Sequence, residues 1–312
     1  MTPPHAIDLP PQLHVFERGW LSANNVLGLG PEGATLIDSG YCSHAEQTLA
    51  LVDHALDGQP LRRLLNTHLH SDHCGGNAAL QARYPGLHTA IPPGHADAVR
   101  RWDEAVLSYR ATGQRCPRFG VDSVLQPGDT VPLAGMAWQV HAAPGHDPHA
   151  VLLFQPEHGV LISGDALWEN GFGVVFPELD GESAFEEVGD TLDLIEALAP
   201  RVVIPGHGSP FGGEAVVAQA LGRARSRLGQ FLASPAKHLQ YALKVLMKFR
   251  LLEWQRVAWP DFMAWASATP YLQRQHALHG GEQSLDDWLL ALVDSLIASG
   301  AAAREGDWLV DR

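Results

Sequence analysis

The sequence predicts a mixed α/β body followed by a smaller, mostly helical unit. Three observations carry this. Up to about residue 213, short apolar runs rich in β-branched residues alternate with stretches of helical periodicity. Four of the apolar runs end in a Gly-rich loop that carries His or Asp, where layered folds place their chemistry. Beyond about residue 213 the β signals nearly vanish, which sets a catalytic-type domain over 1–228 against a helical domain over 229–312.

The elements follow in order. Leu13 to Phe16, Asn25 to Leu29 and Ala34 to Asp38 read as a β-meander, with Gly30, Pro31 and Gly33 turning the chain between the last two. Ser43 to Leu56 carries apolar Leu49, Val52 and Leu56 with a Ser43/Glu46 capping box, so a helix is expected. The strand Leu61 to Asn66 leads into the run His68, Leu69, His70, Ser71, Asp72, His73; a helix over Asn77 to Tyr84, a strand over His88 to Ile91 and a helix near His95 to Trp102 come next. Five strands are expected between Ser123 and Ser163, then a helix over Ser183 to Ala199 and a strand at Val202 to Pro205. The second unit reads as helices over Glu214 to Leu232, Pro235 to Leu252, Pro260 to Ala268 and Ser284 to Ala298, then a hairpin across Gly306, a pattern resembling a winged helix.

At 312 residues, 46% hydrophobic and 18% charged, the chain is long enough for an independent core with an appendage. Three cysteines, Cys42, Cys74 and Cys116, form no CxxC pair and no disulfide framework; Cys74, beside His73, reads as a small buried turn residue. Met1 to Pro11 lacks the basic start and apolar core of a signal peptide, and no run of 18 apolar residues occurs, so a cytoplasmic location without membrane contact is expected. The net charge of −14 is uneven: up to residue 220, ten Arg and no Lys face 26 acids. That body repels polyanions, and only the tail could meet nucleic acid.

The His68–His73 run concentrates four metal-competent side chains in six residues. In an extended segment His68 and His70 share a face, and Gly75 and Gly76 bend the chain so that Asp72 and His73 can face a neighbouring ion. His146 in Pro144-Gly145-His146, Asp165 in Ser163-Gly164-Asp165 and His207 in Gly206-His207-Gly208 repeat the strand-then-loop setting. Alone, each such residue is more often structural than ligating; their shared context changes that reading.

In this order, and with Asp38 in Leu36-Ile37-Asp38-Ser39-Gly40 before them, the motifs resemble the metallo-β-lactamase superfamily over residues 13 to 213. The resemblance implies an αββα sandwich with a dinuclear site at one edge. It puts His68, His70 and His146 on one metal, Asp72, His73 and His207 on the other, Asp165 between them, and Asp38 behind the ligands. Two divalent ions are implied, zinc first among them, with iron and manganese also suited to imidazole and carboxylate. Such a pair lowers the pKa of a shared water and supplies a hydroxide nucleophile, which Asp72 can orient.

The expected reaction is hydrolysis of an ester, thioester or lactone of a small-molecule acyl substrate, because Asp165 and the absence of a ligand cysteine resemble hydroxyacylglutathione hydrolases and lactonases more than antibiotic hydrolases. Trp168, Phe172 and Phe176, in the bulky segment after Asp165, and His149 are the candidate substrate contacts, with core packing or a loop hydrogen bond as their plainer readings. The rivals are a single-strand ribonuclease using Arg223, Arg225, Arg227, Lys237, Lys244, Lys248 and Arg250, a mononuclear iron persulfide dioxygenase, and a signalling protein that only binds a partner. The oligomeric state is left open.

Overall fold

The computed structural model describes residues 7–312, so the start of the Met1–Pro11 segment lies outside the described residues. Two six-stranded sheets face each other. The first contains β1 (Leu13–Phe16), β2 (Asn25–Gly28), β3 (Ala34–Ile37), β4 (Leu61–Leu65), β5 (His88–Ile91) and β6 (Ser123–Val124), antiparallel across β1-β2-β3 and parallel from β3 to β6. The second contains β7 (Thr130–Leu133), β8 (Met136–Ala142), β9 (Val151–Gln155), β10 (Val160–Gly164), β11 (Val202–Pro205) and β12 (Phe211–Gly212), antiparallel except for the β10–β11 pair.

The central strands are apolar on both faces, while β8 alternates buried Trp138 and Val140 with exposed Ala137 and Gln139, and this two-residue period sorts the side chains into layers. Val26, Ile37, Leu65, Val151, Leu153, Val160, Ile162, Val202 and Ile204 meet between the sheets. Their neighbours Leu27, Leu36 and Leu64 face outward onto Val52 and Leu56 of α1 (Ala45–Leu56) and Leu80, while Leu152, Leu161 and Val203 face Val188, Leu192 and Ile195 on the other side. The result is helix, sheet, sheet, helix, as the motifs imply. Two short helices, α2 (Ser71–Cys74) and α3 (Asn77–Arg83), and then α4 (Ala96–Arg101), follow β4 and β5. A turn of helix, α5 (Phe176–Leu179), precedes α6 (Phe185–Leu198) on the outer face of the second sheet.

One local expectation fails. Ser43 caps nothing: Cys42–His44 is a 3₁₀ turn, α1 begins at Ala45, and its N-cap residue His44 makes no side-chain capping bond. Tertiary contacts override the local signal here. Ser22 Oγ accepts the Tyr41 N–H at 3.0 Å and lies 2.9 Å from His44 Nδ1, fixing the chain in another path.

The second unit begins with α7 (Glu214–Ala233) and α8 (Pro235–Trp254), then β13 (Arg256–Ala258), α9 (Trp259–Ala268), α10 (Pro270–His279), α11 (Leu285–Ala298) and the hairpin β14 (Ala302–Glu305), β15 (Trp308–Asp311). Residue 228, the division expected from composition, falls within α7, whose buried Val217, Leu221, Leu228 and Phe231 share the core of the second sheet. β13 pairs with β15, so the hairpin becomes a three-stranded antiparallel sheet. Helices α8, α9, α10 and α11 enclose a second core of their own, which Val174 and Leu179 of the body also enter. No helix among the described residues is long and apolar enough to cross a membrane.

Candidate metal centre

Loops leaving the same edge of the sandwich converge on one point. Asp38 follows β3, His68 and His70 follow β4, Asp72 and His73 sit in α2, His146 lies between β8 and β9, Asp165 follows β10 and His207 follows β11. Backbone bonds knit these loops together: Asn24 N–H donates to the Gly206 carbonyl at 2.7 Å, Gly206 N–H to Gly164 at 2.7 Å, and Ala23 N–H to Asp72 at 3.0 Å. Asp72 and His73 are presented by a helical turn rather than by the glycine bend the sequence suggested, and Gly75 continues that turn.

The seven side chains form overlapping triads. His68, His70 and His146 make one; Asp72, His73 and His207 make another; His68, His73 and Asp165 join them, with the nearest nitrogen and oxygen atoms of each group within 4.8 Å of one another. His70 Nδ1 lies 3.0 Å from His68 Nε2 and 2.8 Å from His146 Nε2. Asp165 reaches both sides: its Oδ2 is 3.4 Å from His146 Nε2 and 3.8 Å from His207 Nε2, and its Oδ1 is 3.4 Å from His73 Nε2. Asp72 Oδ2 lies 3.0 Å from His207 Nε2.

The outer ring nitrogens decide which atoms face inward. His146 Nδ1 donates to the Val174 carbonyl at 2.5 Å, and His73 Nδ1 donates to Asp38 Oδ2 at 2.7 Å. Each therefore turns an Nε2 lone pair toward the centre, the arrangement by which oxygen partners orient ligating imidazoles. His73 Nε2 is buried with no hydrogen-bond partner, a cost that a cation at the centre would remove. Three imidazole nitrogens converging around His70, an orphaned Nε2 and a shared carboxylate are a donor set that fits divalent cations.

Electrostatics agree with that fit. Burial drives His68 and His70 below the ordinary imidazole range, and His146 falls to about 4 for the same main reason. Burial would lower His73 as well, but Asp38, Asp165 and Asp72 surround it and hold it well above its usual value. Burial also works against ionised Asp165, yet His207 and His73 keep its carboxyl well below the usual range. A cation bound there would displace the proton that His73 otherwise keeps.

Asp38 stands behind the centre, as expected. It adopts a left-handed backbone (φ 57°) that few non-glycine residues tolerate, and its carboxylate accepts from Thr67 N–H at 2.9 Å, Thr67 Oγ1 at 2.8 Å and His73. Two glycines are required by close approach: a Cβ on Gly206 would lie 2.2 Å from Asp165 Oδ1, and one on Gly173 would lie 2.4 Å from His146 Nδ1.

The four candidate substrate contacts divide. Trp168 and Phe176 line the cleft over the centre, and Phe176 stands edge-on to His70 with ring centroids 5.3 Å apart. Phe172 does not reach it; the ring is buried in the core against Phe231 because Gly173, not Phe172, faces His146. His149 does not reach it either, since its ring lies against Gly94 and His95 and its backbone N–H donates to Asp147.

Trp20 and Asn24 escaped the sequence reading, as did the support that Trp168, expected only as a substrate contact, gives to Asp165. Trp20 stacks on His207 (5.3 Å, 7° between planes), Trp168 Nε1 donates to Asp165 Oδ1 at 3.1 Å, and Asn24 Nδ2 donates to the Pro205 and Gly208 carbonyls that flank His207. Of this supporting layer the sequence reading named only Asp38. Cys74 lies outside the ligand groups, its thiol held by Tyr109 Oη at 3.2 Å.

Residues 18–207 match the family model described as the metallo-beta-lactamase superfamily. The chain is 34% identical over 141 residues to a hydroxyacylglutathione hydrolase of Synechococcus sp. (strain JA-3-3Ab), covering 45% of this chain and 46% of that protein. It is 30% identical over 175 residues to the acyl-coenzyme A thioesterase MBLAC2 of Gallus gallus, covering 51% and 61% respectively. The chain thus spans about half the length of the curated relatives it matches. Among solved structures, TTHA1623 in a di-iron-bound form superposes with a TM-score of 0.53 at 29% identity, covering 66% of this chain and 98% of that one.

Proposed function

Because this chain belongs to the metallo-beta-lactamase superfamily, we propose that it is a metal-dependent hydrolase acting on an ester, thioester or lactone carbonyl. The observation that carries the reading is the pair of triads meeting at Asp165 around the orphaned His73 Nε2. His68, His70 and His146 would hold one divalent ion, Asp72, His73 and His207 a second, and Asp165 both. When bound, such a pair supplies an ionised water at neutral pH and a positive charge for the developing oxyanion. Asp72, at the cleft surface, accepts a hydrogen bond from the attacking water and so aims it. Asp38 keeps His73 oriented, and Trp168 and Phe176 hold the substrate beside it and exclude bulk water.

The matched relatives named for glutathione and coenzyme A thioesters support the carbonyl chemistry, and the di-iron form of TTHA1623 brings iron level with zinc as the resident metal. A ribonuclease would need the tail's cations free beside the cleft. Four of the seven are engaged instead, Arg225 with Asp193 and Glu196, Lys248 with Asp311, Arg250 with Glu253 and Arg223 with the Glu169 carbonyl, and Arg227 lies over the Tyr241 ring, which leaves Lys237 and Lys244 as weak support for the nucleic-acid reading beside an acidic body. A small-molecule acyl substrate remains.

The test is metal content by mass spectrometry on purified protein, followed by a panel of thioesters, lactones, phosphodiesters and short RNA. About two metal equivalents with turnover confined to acyl substrates is the expected result. One equivalent of iron, with oxygen consumed on a persulfide, would overturn it in favour of the dioxygenase.

A further inference from the structure

The cleft above the centre encloses about 460 Å³, the size of a small-molecule site, and is walled from both units. Phe176 of the body, whose ring meets Tyr271 of α10 edge-on with centroids 6.4 Å apart, lines it together with Val245 and Phe249 of α8. Its mouth carries Trp20 (55% exposed) and Val106 (51%), two of the six large apolar residues that remain exposed among the described residues. Most of the lining is apolar, with carboxylate and imidazole at the metal end and Asp180, Arg274 and Lys248 as the remaining charged groups, so it suits a chain better than a charged group.

The cleft's cations are committed elsewhere. Lys248 gives its ammonium to the Ala301 carbonyl (2.7 Å), Asp311 Oδ1 (2.5 Å) and the Arg312 carbonyl (2.8 Å). Arg274 is paired with Asp180 and lies over the Tyr271 ring. A glutathione conjugate brings two carboxylates and one ammonium, and both cations of this lining already have a carboxylate partner; leaving buried charge unpaired is costly.

Resting on the hydrolase reading above, we propose that this enzyme selects esters and thioesters by an apolar acyl chain seated along Phe176, Val245 and Phe249, and that it does not recognise the glutathione moiety. Val245 and Phe249 are the specificity-determining residues. Each methylene added to the acyl chain raises kcat/KM by roughly fourfold, the worth of burying one CH₂, until the cleft is filled.

The experiment uses the metal-loaded full chain and acyl groups from acetyl to dodecanoyl, each on N-acetylcysteamine, coenzyme A and glutathione. The expected result is a rise in kcat/KM with chain length on all three thiols, no advantage for glutathione, and a collapse of the octanoyl-to-acetyl ratio by about tenfold in Val245→Trp. Val106→Asp, at the solvent-exposed rim, lowers the same ratio without disturbing packing. A flat chain-length profile, or a tenfold preference for the glutathione conjugate of the same acyl group, overturns the proposal. If no substrate is turned over, the hydrolase reading fails separately. Calorimetry with octyl and ethyl thioethers then decides the cleft: tighter binding of the octyl compound supports an apolar acyl site, and equal binding overturns it.

Discussion

Asp165 is the residue on which both halves of the centre depend. It lies 3.4 Å from His146 Nε2 and 3.4 Å from His73 Nε2, one on each side. Asp165→Ala is therefore expected to release both metals, whereas His207→Ala mainly empties the site shared with Asp72 and His73; equal loss of both ions from His207→Ala, measured by mass spectrometry, would show the assignment of His207 to one site to be wrong. Trp168 acts through that carboxylate. Trp168→Phe keeps the ring against Trp20 and His207 but removes the indole N–H, and is expected to weaken metal affinity about 10–100-fold in a chelator competition, with an unchanged affinity counting against it. At this scale the seven converging residues were legible because His and Asp recur in Gly-rich loops after apolar runs. Trp20, Asn24 and the bond from Trp168 to Asp165 were not, because a hydrogen bond to such a residue or a ring stacked on one leaves no spacing in the sequence. Phe172 and His149 follow their plainer readings, core packing and a loop hydrogen bond, because closeness along the chain to Asp165 or His146 says nothing about which way a side chain turns.

The strands and long helices were legible to within a residue or two because the central strands are continuous apolar runs and β8 alternates buried with exposed residues. Short elements were not: α5 and β12 are too brief to show a period, and α10 has a weakly amphipathic sequence that opens on Pro270 and ends at Gly280 and Gly281. Where local chemistry agrees with packing, the cap is found; Ser284 accepts the Asp287 N–H at 3.1 Å at the start of α11. Helix α8 carries a pH response. His238 in its first turns is buried against Phe185 and Phe231, its Nε2 accepts the Val175 N–H, and burial lowers its pKa from 6.5 to about 4. Between those values the unfolded chain binds a proton that the folded chain refuses, so this residue makes stability fall as pH drops from about 6.5 to about 4. His238→Gln, which keeps an acceptor for Val175 but cannot titrate, is expected to unfold at lower temperature at pH 7 yet lose less between pH 6.5 and 4 than the parent. Parallel slopes in thermal melts across that range would remove His238 from the account.

In the molecule as a whole, the cleft exists because α8 is held against the body, and Glu253 at the end of that helix holds it there. Its carboxylate is only 5% exposed, is paired with Arg250 at 2.5 Å and with Arg115, and accepts from Tyr41 Oη at 3.3 Å; Tyr41 and Arg115 belong to the body. Burial and the Glu253 charge together push the Tyr41 phenol well above its usual range, so it stays a donor at any working pH. Glu253→Ala leaves the mostly buried Arg250, stacked on Trp254, without a counter-charge, while Arg115 is exposed enough to regain water. Breaking a buried pair in this way costs about 3 kcal/mol, at the low end of the range because one partner rehydrates. The unfolding midpoint should drop by several degrees, and because the tie fixes one wall of the cleft to the other, the octanoyl-to-acetyl preference should fall with it. Glu253→Gln, which can still accept from Tyr41 and one arginine, should recover part of both. A variant that melts as the parent does and keeps its chain-length preference would show that the apolar contacts of Val174 and Leu179 with α8 to α11, and not this carboxylate, set the width of the cleft.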